Sequence, residues 1–315
     1  MVSVMRVIFL GTSGSIPTQT RSSASLVIKR RGEVLMFDCG EGTQRRMVEA
    51  HVGFRRSMKI FISHLHGDHL LGLPGLIQTM TLLQREKELE LYGPIGLLDF
   101  IKAFSLVLGG PGFPVKIYEI KSHGIVCDEE EYQVIAVEAD HMMPSYSYVL
   151  NEKSAPGVFY PDKARELGVP EGPLWGKLQH GFDITLDDGT LVKAVDIVGP
   201  IRTGLKIAYS GDTKPTVAFA EAGGSSDLMI HEATFDNLLR ERADENYHST
   251  AEQAAKIAKQ ADACKLVLTH ISSRYPDASQ LLLEAKKIFE NTIIAEDLMV
   301  LEVDRDGVTE ISEEN

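Results

Sequence analysis

His64-Leu65-His66-Gly67-Asp68-His69, directly after the apolar run Lys59–Ile62, packs three imidazoles and a carboxylate into six residues at the end of an expected strand. Neutral imidazole nitrogens and a carboxylate oxygen are borderline-hard donors suited to zinc and similar divalent ions. One short loop cannot close two coordination spheres, so further ligands must come from later turns. Candidates of the right type follow later strands: His141 after the alternating stretch Tyr132–Glu138, Asp212 after Lys206–Tyr209 within Ser-Gly-Asp-Thr, and His270 after Leu266–Thr269. Each alone reads as an ordinary polar turn residue. Together they read as the ligand set of a two-metal hydrolase.

The rest of the composition fits a soluble enzyme. At 315 residues, 43% of them hydrophobic, the chain is long enough for one large α/β domain or two small ones. No apolar run approaches the ~18 residues of a membrane span, and Met1–Leu10 reads as a first strand rather than a leader, so the expected location is the cytoplasm. Cys39, Cys127 and Cys264 lie outside any CxxC spacing, which argues for reduced thiols. The net charge of −13 argues against a general nucleic-acid binder. Bound divalent ions would supply positive charge where a phosphate must sit. Lys29-Arg30-Arg31, Arg45-Arg46, Arg55-Arg56 and Lys286-Lys287 are solvated surface or local positive faces.

Short β-type runs alternate with helical ones along the chain. Strands are expected at Met5–Leu10, Ser25–Lys29, Val34–Phe37, Lys59–Ile62, Leu89–Tyr92, Val115–Ile120 and Tyr132–Glu138. Helices are expected at Glu41–Ala50, Gly72–Gln84 and Ile95–Ser105. The second half continues with strands Lys206–Tyr209, Leu228–Ile230, Lys265–Thr269 and Leu298–Val303, then an acidic tail. Its helices are expected at Pro215–Glu221, Thr250–Gln260 and Ser279–Phe289. Such alternation suggests sheets covered by helices in layers.

One segment breaks the pattern. From about Asn151 to Pro200, prolines and glycines crowd together around Glu171-Gly172-Pro173-Leu174-Trp175-Gly176-Lys177-Leu178, which holds the only tryptophan. A loop of ~50 residues inside a compact domain is usually a functional excursion or disorder. Phe159, Tyr160, Trp175, Leu178 and Phe182 give it apolar material, so it reads as an inserted arm. Any nucleic-acid binding there would rely on Lys163, Arg165, Lys177 and glycine-exposed backbone.

The chain resembles the short-form ribonuclease Z family, tRNA 3′-end endonucleases of the metallo-β-lactamase superfamily. The match runs through Phe9-Leu10-Gly11-Thr12, Pro17-Thr18 and Phe37-Asp38-Cys39-Gly40-Glu41-Gly42-Thr43-Gln44 to the HxHxDH loop. It continues through Asp140-His141, Tyr209-Ser210-Gly211-Asp212-Thr213, His231-Glu232-Ala233-Thr234, His248-Ser249-Thr250-Ala251 and Thr269-His270-Ile271-Ser272-Ser273-Arg274-Tyr275. The arm resembles the family's tRNA-gripping flexible arm with its Gly-Pro element. One departure is Pro144-Ser145-Tyr146-Ser147-Tyr148, read as a turn, where many relatives have glycine in place of Ser147.

The resemblance implies a single domain over residues 1–315, an α/β four-layered αβ/βα sandwich with the arm at about 151–200 inserted. It implies two zinc ions per subunit, other divalent ions being possible: His64, His66 and His141 on one, Asp68, His69 and His270 on the other, and Asp212 bridging. Hydroxide generated at this two-metal centre attacks the phosphorus of precursor tRNA, leaving a 3′-hydroxyl on tRNA and a 5′-phosphate on the trailer. Asp68 orients or deprotonates the water, and His248, oriented by Glu232, protonates the leaving 3′ oxygen. Ser272, Arg274, Gly172, Pro173 and Lys177 are the implied substrate contacts. A homodimer is implied, one subunit's arm serving the other's site.

On the residues alone, Ser249 is also an ordinary helix N-cap with His248 at the surface. His231 packs at the end of its strand, and His51, His123 and His180 are structural or surface residues. The same ligand set serves phosphodiesterases and other hydrolases of small esters, against which the arm argues. Di-iron oxygen reductases carry glutamate where His66 stands, and an RNA-binding module with a dead site would lack a ligand.

Overall fold

The computed structural model describes residues 4–311. Residues 1–3 of the expected first strand and 312–315 of the acidic tail lie outside the described residues. The chain folds as two compact units: Met1–Asp128 with Gln133–Asn151 and Leu205–Asn315, and Glu129–Tyr132 with Glu152–Gly204. Among the described residues no helix is long and apolar enough to cross a membrane.

The larger unit holds two sheets. The first runs, in spatial order, Gly307–Glu310, Val300–Asp304, Met5–Gly11, Ser25–Arg30, Glu33–Phe37, Ser57–Phe61, Leu89–Pro94 and Val115–Ile120. From Glu33–Phe37 onward its neighbours are parallel. Parallel strands are covered on both faces, and Val34, Leu35, Met36 and Phe37 are accordingly buried in succession. Helices Thr43–Glu49, Gly72–Leu82 and Leu97–Leu108 cover one face, placing Met47, Leu73, Leu76, Ile77 and Leu97 in one core with Ile8, Met36, Ile60 and Leu91.

The second sheet runs Thr292–Ile294, Leu266–Thr269, Leu228–Glu232, Lys206–Tyr209, Tyr146–Glu152, Tyr132–Glu138 and Gly124–Asp128. Its first four strands are mutually parallel. Helix Ala251–Gln260 packs on it through Ala251, Ala254, Ala255, Ile257 and Ala258, small residues that let backbone approach sheet. That helix starts in a capping box, with Thr250 accepting from the Gln253 amide and Gln253 accepting from that of Thr250. Thr250, not Ser249, is therefore the N-cap, and the Ser249 hydroxyl instead donates to the Thr213 carbonyl at 2.7 Å.

The inner faces of the sheets meet through aromatic rings. Phe37 lies 5.2 Å from Phe61 and 5.9 Å from both Tyr148 and Tyr209, and the Tyr148 hydroxyl donates to the Ile62 carbonyl at 2.6 Å. Each such side chain contributes roughly 1.5–3 kcal/mol of burial. Helices, sheet, sheet and helices make the four layers expected of the αβ/βα sandwich.

Some local expectations fail. Tyr146–Glu152 is a strand rather than a turn, and Ser147 sits inside it, donating to the Ser210 carbonyl at 2.6 Å. Leu298–Val303 does not end the structure, because Gly307–Glu310 pairs on its outer side as an edge strand. Gly124–Asp128 is a strand that carries too little alternation to announce itself.

The smaller unit is ordered around its own core. Helices Pro161–Glu166 and Pro173–Gln179 and the hairpin Ile184–Thr185/Leu191–Val192 bury Ala164, Val169, Leu178, Ile184, Val192, Ala194 and Ile197. Trp175 packs 5.1 Å from Phe159 and donates its indole N–H to the Val169 carbonyl. Proline at the start of both helices and glycine at the turns thus punctuate a small fold. Arg165 is engaged by Asp162 and Glu171 at 2.8 Å each, so of the expected basic contacts it is the one already neutralised.

Candidate metal centre

Parallel strands deliver their C-terminal ends to one edge, the usual place for ligands in such sheets. Glu33–Phe37 leads into Asp38, Ser57–Phe61 into Ser63 and His64, Lys206–Tyr209 into Asp212, Leu228–Glu232 ends on Glu232, and Leu266–Thr269 leads into His270. The turn at Asp38-Cys39-Gly40 locks the HxHxDH loop: the Cys39 amide donates to His69 O and its carbonyl accepts from Gly72. A Cβ on Gly72 would lie 2.0 Å from the Gly40 carbonyl oxygen, so only glycine lets the following helix lie this close.

The candidate ligands converge. Their donor atoms lie within 4.8 Å of one another in four overlapping trios: His64/His66/His141, His64/His69/Asp212, Asp68/His69/His270 and Asp212/His248/His270. Asp212 Oδ2 is 3.7 Å from His64 Nε2 and 3.3 Å from both His69 Nε2 and His270 Nε2, so one oxygen faces imidazoles of both expected ligand sets. Its Oδ1 is buried and has no hydrogen-bond partner among the described residues. A buried carboxylate oxygen without a donor is costly unless a cation faces it. Donor chemistry and the orphaned oxygen both fit divalent ions.

The imidazoles are aimed by neighbours that take the nitrogen facing away. His69 Nδ1 lies 2.7 Å from Asp38 Oδ2 and His141 Nδ1 lies 3.0 Å from the Tyr247 carbonyl, so each donates there and presents Nε2 to the centre. The Ser63 hydroxyl donates to Asp38 and accepts from His64 Nδ1. Likewise the Thr234 hydroxyl donates to Glu232 Oε2 and accepts from His270 Nδ1. His66 turns Nδ1 inward, 2.9 Å from His64 Nε2. Asp38, fully buried with φ 59, also accepts from the Ser63 amide and the Tyr209 hydroxyl. Asp38 and Thr234 stand in the sequence only as members of the resembling motifs, with no role of their own, and Ser63 and Tyr247 carry no local signal; Asp38 at a strand end, two residues before Gly40, was the available one.

The electrostatics follow from this crowding. Burial and the neighbouring His69 push His64 well below the usual imidazole range, and burial with His141 lowers His66, which leaves both neutral and able to ligate. Burial opposes charge on Asp68 and Asp212, but the facing imidazoles outweigh it and hold both carboxylates ionised. Asp68 Oδ2 also accepts from the Ser15 amide at 3.0 Å.

Beside the centre, His248 is buried rather than at the surface. Its Nδ1 lies 2.9 Å from Glu232 Oε1, which also accepts from the Thr213 amide. Burial would lower its pKa, but the Glu232 carboxylate prevails and holds it at about 9. His248 Nδ1 is 4.0 Å from Asp212 Oδ2. The Arg274 guanidinium donates to Ser272 Oγ at 3.2 Å and lies over the Phe235 ring. Gly172, Pro173 and Lys177 belong to the smaller unit and are exposed there. His231 is buried in its strand, while His51, His123 and His180 are exposed.

Fold and centre together define a metallo-β-lactamase-fold hydrolase that uses divalent metal. A family profile described as anti-Pycsar protein Apyc1 matches residues 5–110, which carry the HxHxDH loop but none of Asp212, Glu232, His248 or His270. Ribonuclease Z of Methanosarcina acetivorans is 46% identical over 303 residues, covering 95% of this chain and 98% of that protein. Ribonuclease Z of Haloferax volcanii is 43% identical over 311 residues, covering 96% and 97%. The crystal structure of the short form of human tRNase Z superposes with a TM-score of 0.69 at 29% identity, covering 94% of this chain and 98% of that one. The chain belongs to the ribonuclease Z family.

Asp38→Asn tests the aiming network. The amide cannot accept from His69, Ser63 and Tyr209 as the carboxylate does, so metal affinity measured by chelator competition is expected to fall about 10–100-fold. Unchanged affinity would remove Asp38 from the account.

Proposed function

We propose that this protein cuts precursor tRNA at its 3′ end with two zinc ions per subunit, leaving a 3′-hydroxyl on tRNA and a 5′-phosphate on the trailer. Endonucleolytic hydrolysis of tRNA 3′ ends is the activity of the family to which the chain belongs. In this reading His64, His66 and His141 would hold one ion, Asp68, His69 and His270 the other, and Asp212 would serve both. Such ions lower the pKa of water and neutralise the phosphate charge that builds in the transition state.

The protein's own groups supply the proton transfers. Asp68 Oδ2 accepts from the Ser15 amide at 3.0 Å and is the oxygen on the side of its fellow candidate ligand His270, 3.4 Å from that ring's Nε2, which leaves Oδ1 to orient the attacking water and take its proton. His248 gives Nδ1 to Glu232, so Nε2–H is the proton left to pass to the departing 3′ oxygen. The observation that carries this role is the buried His248–Glu232 pair at the wall of the donor cluster. With a pKa of about 9 the histidine is charged at neutral pH and starts the reaction as an acid.

The smaller unit is the arm that grips tRNA. It offers a concave face of about 930 Å³ lined in part by Tyr160, Lys163, Gln179 and His180. Lys163 lies over the Tyr160 ring, a cation beside an aromatic surface of the kind that holds a nucleic-acid backbone and base. Gly172, Pro173 and Lys177 add exposed backbone and charge, and Ser272 with Arg274 touches RNA beside the metals. The active form is a homodimer in the cytoplasm, with the exposed apolar residues Leu82, Leu106 and Val107 offering a surface to a second copy.

Asp68→Ala removes a ligand and the water-positioning group together. Turnover of precursor tRNA is expected to fall by several orders of magnitude while tRNA binding in a gel-shift assay persists; more than about a tenth of wild-type rate would refute the role.

Deleting Pro156–Gln179 separates grip from chemistry. Affinity for precursor tRNA should be lost while zinc content and hydrolysis of a small aryl phosphodiester survive, because remote contacts supply binding energy used to position the scissile phosphate. Loss of both activities with zinc still bound would mean that the arm shapes the active site, and loss of neither that it is a surface insertion.

A further inference from the structure

Lys214 stands next to the donor cluster, two residues after Asp212, and is half-buried. Its ammonium lies 4.2 Å from the centroid of the Tyr247 ring, a cation–π contact that fixes where the charge sits. Among the described residues it has no carboxylate within ion-pair distance, although the chain carries a net charge of −13. A fixed cation left without a protein anion, at the mouth of a site for phosphodiesters, has a ligand of opposite charge still to meet.

The backbone beneath it is held on several sides. The Lys214 amide donates to the Asp140 carbonyl at 2.9 Å, the Asp140 amide donates to Thr213 Oγ1 at 3.0 Å, and Ser249 Oγ donates to the Thr213 carbonyl. The loops carrying His141, Asp212 and His248 are thus latched together at the root of Lys214. Tyr247, with φ 58, gives its carbonyl to His141 Nδ1 and its ring to Lys214, so one residue aims a candidate ligand and carries the cation.

We propose that Lys214 binds a backbone phosphate of the RNA next to the scissile one, on the strand that stays with tRNA. The side is set by Tyr247, which adjoins His248: the leaving 3′ oxygen lies at His248, so the nucleotide that owns it, with its own 5′ phosphate, runs along this wall. Lysine serves as a point charge for phosphate, and because the flanking phosphate does not react, the contact binds substrate and transition state alike. This proposal rests on the cleavage of tRNA precursors by the same site.

The test compares wild type, Lys214→Ala and Lys214→Arg, all zinc-loaded, on a precursor tRNA and on the same precursor with a neutral methylphosphonate at the phosphate 5′ to the last retained nucleotide. Lys214→Ala is expected to raise KM roughly tenfold, the size of a lost charge-assisted contact. The kcat should change far less, and the salt dependence of binding should fall by about 0.7 in slope, one single-strand phosphate contact. Lys214→Arg should restore most of the KM. On the methylphosphonate precursor wild type and Lys214→Ala should differ little. Equal KM and salt slope for Lys214→Ala and wild type on the ordinary precursor, or an undiminished difference on the methylphosphonate, overturns the proposal. Wild-type protein that leaves the precursor uncut overturns the reading beneath it instead.

Discussion

Imidazole lone pairs and carboxylate oxygens repel one another, yet here they are gathered around Asp212 with three imidazole nitrogens 3.3 to 3.7 Å from one of its oxygens. Holding them so before any ion arrives requires that each ring be fixed from behind. Asp38 does this for His69 directly and for His64 through Ser63, Thr234 does it for His270, and Tyr247 for His141. The tautomer of each ring follows from that outer contact, because a nitrogen that donates outward leaves its partner's lone pair facing in. Asp38 and Glu232 are therefore as much part of the centre as the groups that face it.

That outer layer exists because two sheets are pressed face to face. Tyr209, from the second sheet, donates to Asp38, from the first, and Tyr148 reaches across to the Ile62 carbonyl beside the HxHxDH loop. The same aromatic packing that closes the sandwich thus sets the spacing of the donors at its edge. Ions bound there join loops from both sheets and are expected to stabilise the fold by mass action, since the unfolded chain offers no such arrangement.

The sequence shows the donors and hides what aims them. HxHxDH after an apolar run, and His141, Asp212 and His270 after others, are legible because residue type and strand periodicity are both local; the structure brings all of them together. The bounds of strands Val115–Ile120, Tyr132–Glu138 and Lys206–Tyr209 are legible to the residue for the same reason. Ser63, Thr234 and Tyr247 are ordinary residues whose role comes from partners brought by tertiary folding, Tyr247 from His141 more than a hundred positions earlier. Ser147 suggested a turn because many relatives have glycine at its position, but pairing across Tyr148↔Tyr209 to Asn151↔Lys206 makes the segment a strand. In the arm, proline and glycine obscured a core that spans Phe159 to Ile197, since each helix there is too short to display a period.

The central claim is that water, activated beside Asp68, attacks phosphorus while His248 protonates the 3′ oxygen. Cleavage of a precursor tRNA in ¹⁸O-labelled water, with mass analysis of both fragments, reads this directly. The account predicts one ¹⁸O in the 5′-phosphate of the trailer and an unlabelled 3′-hydroxyl on tRNA. A 3′-phosphate or 2′,3′-cyclic phosphate on the tRNA fragment, with a 5′-hydroxyl on the trailer, would contradict it.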